Sequence, residues 1–160
     1  MNKYERVFIW TPKAEINSNS HISDIYKFIP KENRFEEHSV FDYISLGHSI
    51  RKCSAIPILL ELHSLDKTPN RPDVCIGYNE TISDTLKNKL LETSSLFGKV
   101  LKFNTPFIGA MTVDTNVKYT SFMIEVNKKN YLVNNEVSAD AYKISFLLQR
   151  LVDNILEETK

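Results

Sequence analysis

The chain has 160 residues, of which 42% are hydrophobic and 25% charged. That is enough chain for one domain around one core, and it excludes a wholly disordered protein. Lys+Arg and Asp+Glu number 20 each, so there is no general attraction to nucleic acid or to an anionic membrane, and neither is expected as a partner.

The opening Met1–Arg6 carries no apolar leader segment. Glu5 to Trp10, with Val7, Phe8, Ile9 and Trp10 in a row, reads as a strand that Pro12 ends. Residues 22–28 read as a brief helical turn before Pro30. The spacing of Val40, Phe41, Ile44, Ile50 and Cys53 predicts an amphipathic helix over 36–53. Ala55 to Leu62 is a nearly continuous apolar run, the pattern of a strand covered on both faces. It is far shorter than the roughly 20 residues of a membrane span. Asp73 to Tyr78 is a second buried strand. Thr81 or Ser83 caps a helix to about Phe97, and Gly98 stops it. Lys99 to Phe103 and Tyr119 to Val126 read as strands. Ser138 opens a long final helix with Tyr142, Phe146, Leu147, Leu151, Ile155 and Leu156 on its buried side.

Strands and helices alternate, which predicts one α/β domain over residues 1–160: a three-layer αβα sandwich on a mixed, mostly parallel sheet. Cys53 and Cys75 show no C-x-x-C spacing, so two reduced thiols and a cytoplasmic location are expected.

In such sheets chemistry gathers at the carboxyl ends of the strands. Two polar residues fall there. His63 follows the apolar run 56–62, and a neutral imidazole in that place suits a metal or a loop carbonyl. Glu125 lies inside Phe122-Met123-Ile124-Glu125-Val126, an interior segment. Burial would raise its pKa towards that of a general base, unless Lys128 or Lys129 pairs with it. Arg71 and Asp73 form a third feature, suited to holding an acidic substrate or to bracing a loop. His38 and His48 share the predicted 36–53 helix and read as structural. His21 and Asp24 make an H-x-x-D pair in a loop. With four glycines in the chain, no phosphate cradle is evident.

Taken in order, these segments resemble the N-formylglutamate amidohydrolase family. Leu59-Leu60-Glu61-Leu62-His63-Ser64 resembles its strand ending in a His-Ser pair, and Arg71-Pro72-Asp73-Val74-Cys75-Ile76-Gly77 its R-P-D stretch. Asn104-Thr105-Pro106-Phe107-Ile108-Gly109 resembles its N-x-P-[YF]-x-G loop. Phe122 to Leu132 resembles its closing signature, Q-[IL]-E-[IV]-N-R-x-L-Y. The resemblance implies the phosphorylase/hydrolase-like fold of zinc carboxypeptidases. It implies His63 as a Zn²⁺ ligand and Glu125 as the base. It implies Arg71, Asn104, Asn127 and Lys128 around a small acylated amino acid or similar acidic molecule, whose amide is hydrolysed.

The departures are specific. The family's early strand ending in P-H-x-G, with an acidic residue after it, has no counterpart in the sequence. Thr11-Pro12-Lys13-Ala14-Glu15-Ile16-Asn17 resembles a later S-R-x-x-x-D-[LI]-N-R segment without its arginines, and Lys128 replaces an arginine. One histidine is short of the three protein ligands of a catalytic zinc. The alternative expectation is therefore an inactive descendant acting as a binding or assembly module, its exposed apolar edge favouring a homodimer.

Overall fold

The computed structural model describes residues 2–37, 40–113 and 115–159; His38 lies outside them. Six strands form the main sheet: β1 (Val7–Thr11), β2 (Arg34–Glu36), β3 (Ile58–Leu65), β4 (Val74–Gly77), β5 (Leu101–Phe103) and β6 (Thr120–Asn127). Their spatial order is β2-β1-β3-β6-β4-β5. Every pairing is parallel except β4 against β6, which is antiparallel. A small hairpin of β7 (Leu132–Val133) and β8 (Glu136–Val137) follows.

The core has two faces because strand residues alternate. Val7, Ile9, Ile58, Leu60, Leu62, Phe122, Ile124 and Val126 point to one side. There they meet α3 (Asp84–Leu96) and α4 (Ala141–Glu158). Phe8, Trp10 and Leu59 point to the other, against Leu46 and Ile50 of α2 (Val40–Lys52). The predicted αβα layering and the mixed, mostly parallel sheet are thus the observed ones. Ser83 caps α3, accepting the Leu86 N–H at 3.1 Å, and Gly98 follows it at a φ of +67° that suits glycine.

Three sequence expectations change. The helix predicted over 36–53 begins at Val40, because Arg34–Glu36 pairs with β1 as an edge strand. Asn33 locks that turn, its amide donating to the carbonyls of Glu5 and Val7 at 3.0 Å. On α2, Val40, Phe41 and Ile44 are exposed, and Leu46, Gly47 and Ile50 do the burying. On α4, Tyr142 and Phe146 are more than half exposed; the buried stripe is Ile144, Leu147, Leu148, Leu151, Val152 and Ile155, an i, i+3, i+4, i+7 series. Cys53 and Cys75 are both free thiols. Among the described residues no helix is long and apolar enough to cross a membrane.

The one antiparallel pairing within the main sheet positions the candidate site. It turns β4 round, so that the segment leading into β4 lies at the carboxyl end of β6. Arg71 and Asp73 are thereby brought to the same edge of the sheet as the ends of β1, β3 and β6.

Candidate active site

His63 and Glu125 are directly opposed partners in the parallel β3–β6 ladder, and Cys75 of β4 opposes Glu125 from the other side. Alternation puts Glu61, His63, Glu125 and Cys75 on the face that carries Trp10 and Leu59, near the carboxyl ends of β3 and β6. The two residues singled out from the sequence therefore lie side by side on one face of the sheet.

Glu15 joins them from a different element. β1 runs into Pro12, whose fixed φ starts the short helix α1 (Lys13–Asn17). That turn carries Glu15 across to β3. Glu15 Oε1 accepts the Ser64 N–H at 2.9 Å and Oε2 accepts the Ser64 hydroxyl at 2.7 Å. His63 Nδ1 stands 3.5 Å from Glu15 Oε1, and His63 Nε2 stands 2.7 Å from Glu61 Oε1. The imidazole is thus held between two carboxylates.

These contacts set the charges. Burial lowers the His63 pKa, but its hydrogen bonds to Glu15 and Glu61 outweigh that and raise it to about 9. Burial raises that of Glu15, yet its bonds to His63 and Ser64 bring it down to about 2. Glu125 is the opposite case. It is only 4% exposed, and its Oε1 is buried without a hydrogen-bond partner. Burial pushes it up to about 7, against the pull of the His63 charge. Burial also raises the Cys75 thiol.

Beside this cluster lies an open cavity of about 290 Å³, lined by Glu15, Ser18, Ser64, Arg71, Phe107 and Lys128 among others. The Arg71 guanidinium sits 5.3 Å from the centre of the Phe107 ring, a stacked cation able to clamp a carboxylate. Lys128 pairs with Asp66 at 3.1 Å on the same rim.

Asn104 and Asn127, expected at the substrate, hold backbone groups in this structure. Asn104 follows β5 at the end of β4 away from this edge. Its Oδ1 accepts the N–H groups of Tyr78 (3.0 Å) and Gly109 (3.2 Å). Asn127 is 1% exposed. Its amide donates to the Pro72 carbonyl at 3.2 Å and its Oδ1 accepts the Lys129 N–H at 3.1 Å, which pins the Arg71 segment to β6. Asp73 likewise braces, accepting the Val100 N–H at 2.7 Å and facing Lys129 at 3.4 Å. His21 and Asp24 meet at 3.3 Å on a surface turn, and His48 lies beside Arg51 on exposed α2.

Zinc was implied through His63. Among the described residues no group of three or more His, Cys, Asp or Glu side chains is arranged to hold a metal ion. The neighbouring donors Glu15 and Glu61 are already engaged, so the residues present do not fit a three-ligand catalytic zinc site.

Glu15 and Glu61 are the site residues that sequence reasoning missed. In the sequence Glu15 falls in the segment that resembles a later part of the family, and Glu61 appears only within the Leu59–Ser64 motif. Period-two alternation already places Glu61 on the His63 face. No local signal brings Glu15 there, because that contact spans the β1–β3 pairing.

No family model matches the sequence, and no curated protein matches it. Solved structures do match. One is N-formylglutamate amidohydrolase from Ralstonia eutropha JMP134, with a TM-score of 0.54 at 17% identity. The match covers 72% of this chain and 47% of that one, so the chain spans about half the length of that relative. Another is a bacteriophage poly-gamma-glutamate hydrolase, with a TM-score of 0.55 at 8% identity over 95% of this chain and 86% of that one. At such identities the likeness is one of fold.

Proposed function

We propose that this chain is an N-formylglutamate amidohydrolase-like protein that hydrolyses the amide of a small N-formyl or N-acyl amino acid with an acidic side chain. The observation that carries the reading is the opposed pair His63 and Glu125 at the ends of adjacent parallel strands, next to a cavity with two cations on its rim. The fold likeness to two hydrolases supports it. Both named neighbours act on amides of glutamate, which selects the substrates to try first.

Each residue has one task. Arg71, stacked on Phe107, and Lys128 hold the substrate carboxylate. Glu125, poised near neutrality, takes a proton from the attacking water. The His63 charge, fixed by Glu15 and Glu61, favours the ionised form of Glu125 that takes this proton. Ser64 ties α1 to β3 through Glu15 and keeps that charge in place.

The test is release of formate from N-formylglutamate, and of the free acid from other N-acyl glutamates, with and without added zinc. Arg71→Ala should raise KM by about tenfold or more, the loss of one good charged hydrogen bond. Absence of any acid release from the wild type would sink the reading.

A second reading, a module that holds such a ligand without turnover, is favoured by one observation. Glu125 is almost fully buried and is not part of the cavity lining. Calorimetric binding of N-acyl glutamates without acid release would establish it.

A further inference from the structure

We infer that the Glu15–His63–Glu61 cluster is a closed, metal-free bridge between α1 and β3, which takes up no zinc. The inference uses the residues of the proposed amidohydrolase-like site, and its test does not require turnover.

A zinc ligand must offer a lone pair. A carboxylate oxygen only accepts hydrogen bonds. Both ring nitrogens of His63 face carboxylate oxygens, Nε2 at 2.7 Å from Glu61 and Nδ1 at 3.5 Å from Glu15. Nε2 therefore points a proton, and no lone pair, at Glu61, and the Glu15 carboxylate closes the approach to Nδ1. Glu15 is held in place as well. Its two oxygens accept the Ser64 N–H and the Ser64 hydroxyl. The backbone N–H belongs to β3 and cannot rotate away, so freeing Glu15 means moving α1.

The donor types point the same way. The segment that follows β1 reads Thr11-Pro12-Lys13-Ala14-Glu15, one carboxylate and no imidazole. The remaining carboxylate, Glu125, offers one unpartnered buried oxygen. One further carboxylate is far from the three protein ligands that hold a catalytic zinc. The hydrogen bonds present join His63 to Glu61 and Glu15 to Ser64, with His63 and Glu15 facing each other at ion-pair distance.

The experiment is a zinc competition titration against a chromophoric chelator at neutral pH, on the wild type, His63→Ala and Glu15→Gln. The bridge predicts that any zinc affinity agrees within about twofold among the three, because whatever zinc binds does so elsewhere on the chain. A loss of about tenfold or more in either variant, as expected when a metal site loses a group, would overturn it. Cobalt(II) added to the wild type alone needs no variant to fold. Only the spectrum of aqueous cobalt is expected, and stoichiometric tetrahedral cobalt would overturn the bridge. The two readings fail separately. Zinc uptake through His63 together with acid release sinks the bridge and leaves the hydrolase reading. No uptake and no acid release leaves the bridge and sinks the hydrolase reading.

Discussion

Replacing Glu125 by Gln should make the protein more stable at neutral and alkaline pH. Glu125 is raised from 4.5 to about 7 by burial in the folded state. A carboxyl with a raised pKa favours folding while protonated, so stability falls as pH rises from 4.5 to about 7 and is flat above that. The difference of about 2.5 units at about 1.4 kcal/mol each makes the buried charge cost about 3 kcal/mol. Glutamine has the same shape and never ionises. The variant should match the wild type near pH 4.5, up to a constant offset from its new N–H donors, and gain about 3 kcal/mol on it by pH 8. In urea that is a midpoint shift of about 1.5 M for an m near 2 kcal/mol/M. His63, raised to about 9, stabilises the fold below its ordinary 6.5 and loses that contribution as pH rises through 9. It does so in both proteins, so the difference curve isolates position 125 to first order. Urea unfolding at half-unit pH steps measures it. A difference that is independent of pH between 4.5 and 8 would refute the reasoning.

Glu15 should behave in the opposite sense. Its pKa is lowered from 4.5 to about 2, so its contribution is present above 4.5 and lost as pH falls through 2. The wild type should lose up to about 3 kcal/mol across that window and Glu15→Gln very little, as chemical denaturation at acid pH would report. Leu148→Ala, at a fully buried position, should cost about 2–5 kcal/mol. Phe146→Ala, at a position 56% exposed, should change stability by about 0.5 kcal/mol or less, by the same urea measurement. Gly77→Ala should lower the thermal midpoint, because a Cβ there collides with the Gly109 carbonyl oxygen and comes within 2.7 Å of Met123 Cε; about 1–3 kcal/mol is the usual cost of such overpacking.

The parallel core was legible in the sequence because β3 and β6 are buried on both faces and their apolar runs have no other use. The Gly98 stop was equally plain, and of the two caps the sequence allowed, Thr81 or Ser83, the structure uses Ser83. The faces of α2 and α4 were misread for one reason. Phe41, Tyr142 and Phe146 fit helical spacing, but the sheet beneath accommodates only one stripe, and Leu46, Ile50, Leu148 and Leu151 fill it. At the site, His63 and Glu125 were visible because each interrupts or ends an apolar run. The antiparallel turn of β4 was not visible, and with it the reason that Arg71 reaches this edge. Nor was the long-range partnership of Glu15 with Ser64, which the β1–β3 pairing alone creates.

The central claim is that Glu125 acts as a base beside a fixed His63. The most direct measurement is acid release from N-formylglutamate by the wild type and by Glu125→Gln across pH 5 to 9. The account predicts wild-type turnover that rises through pH 7 as Glu125 ionises, and a loss of about 10²- to 10⁴-fold in the variant. Equal rates in the two proteins at pH 8 would contradict it.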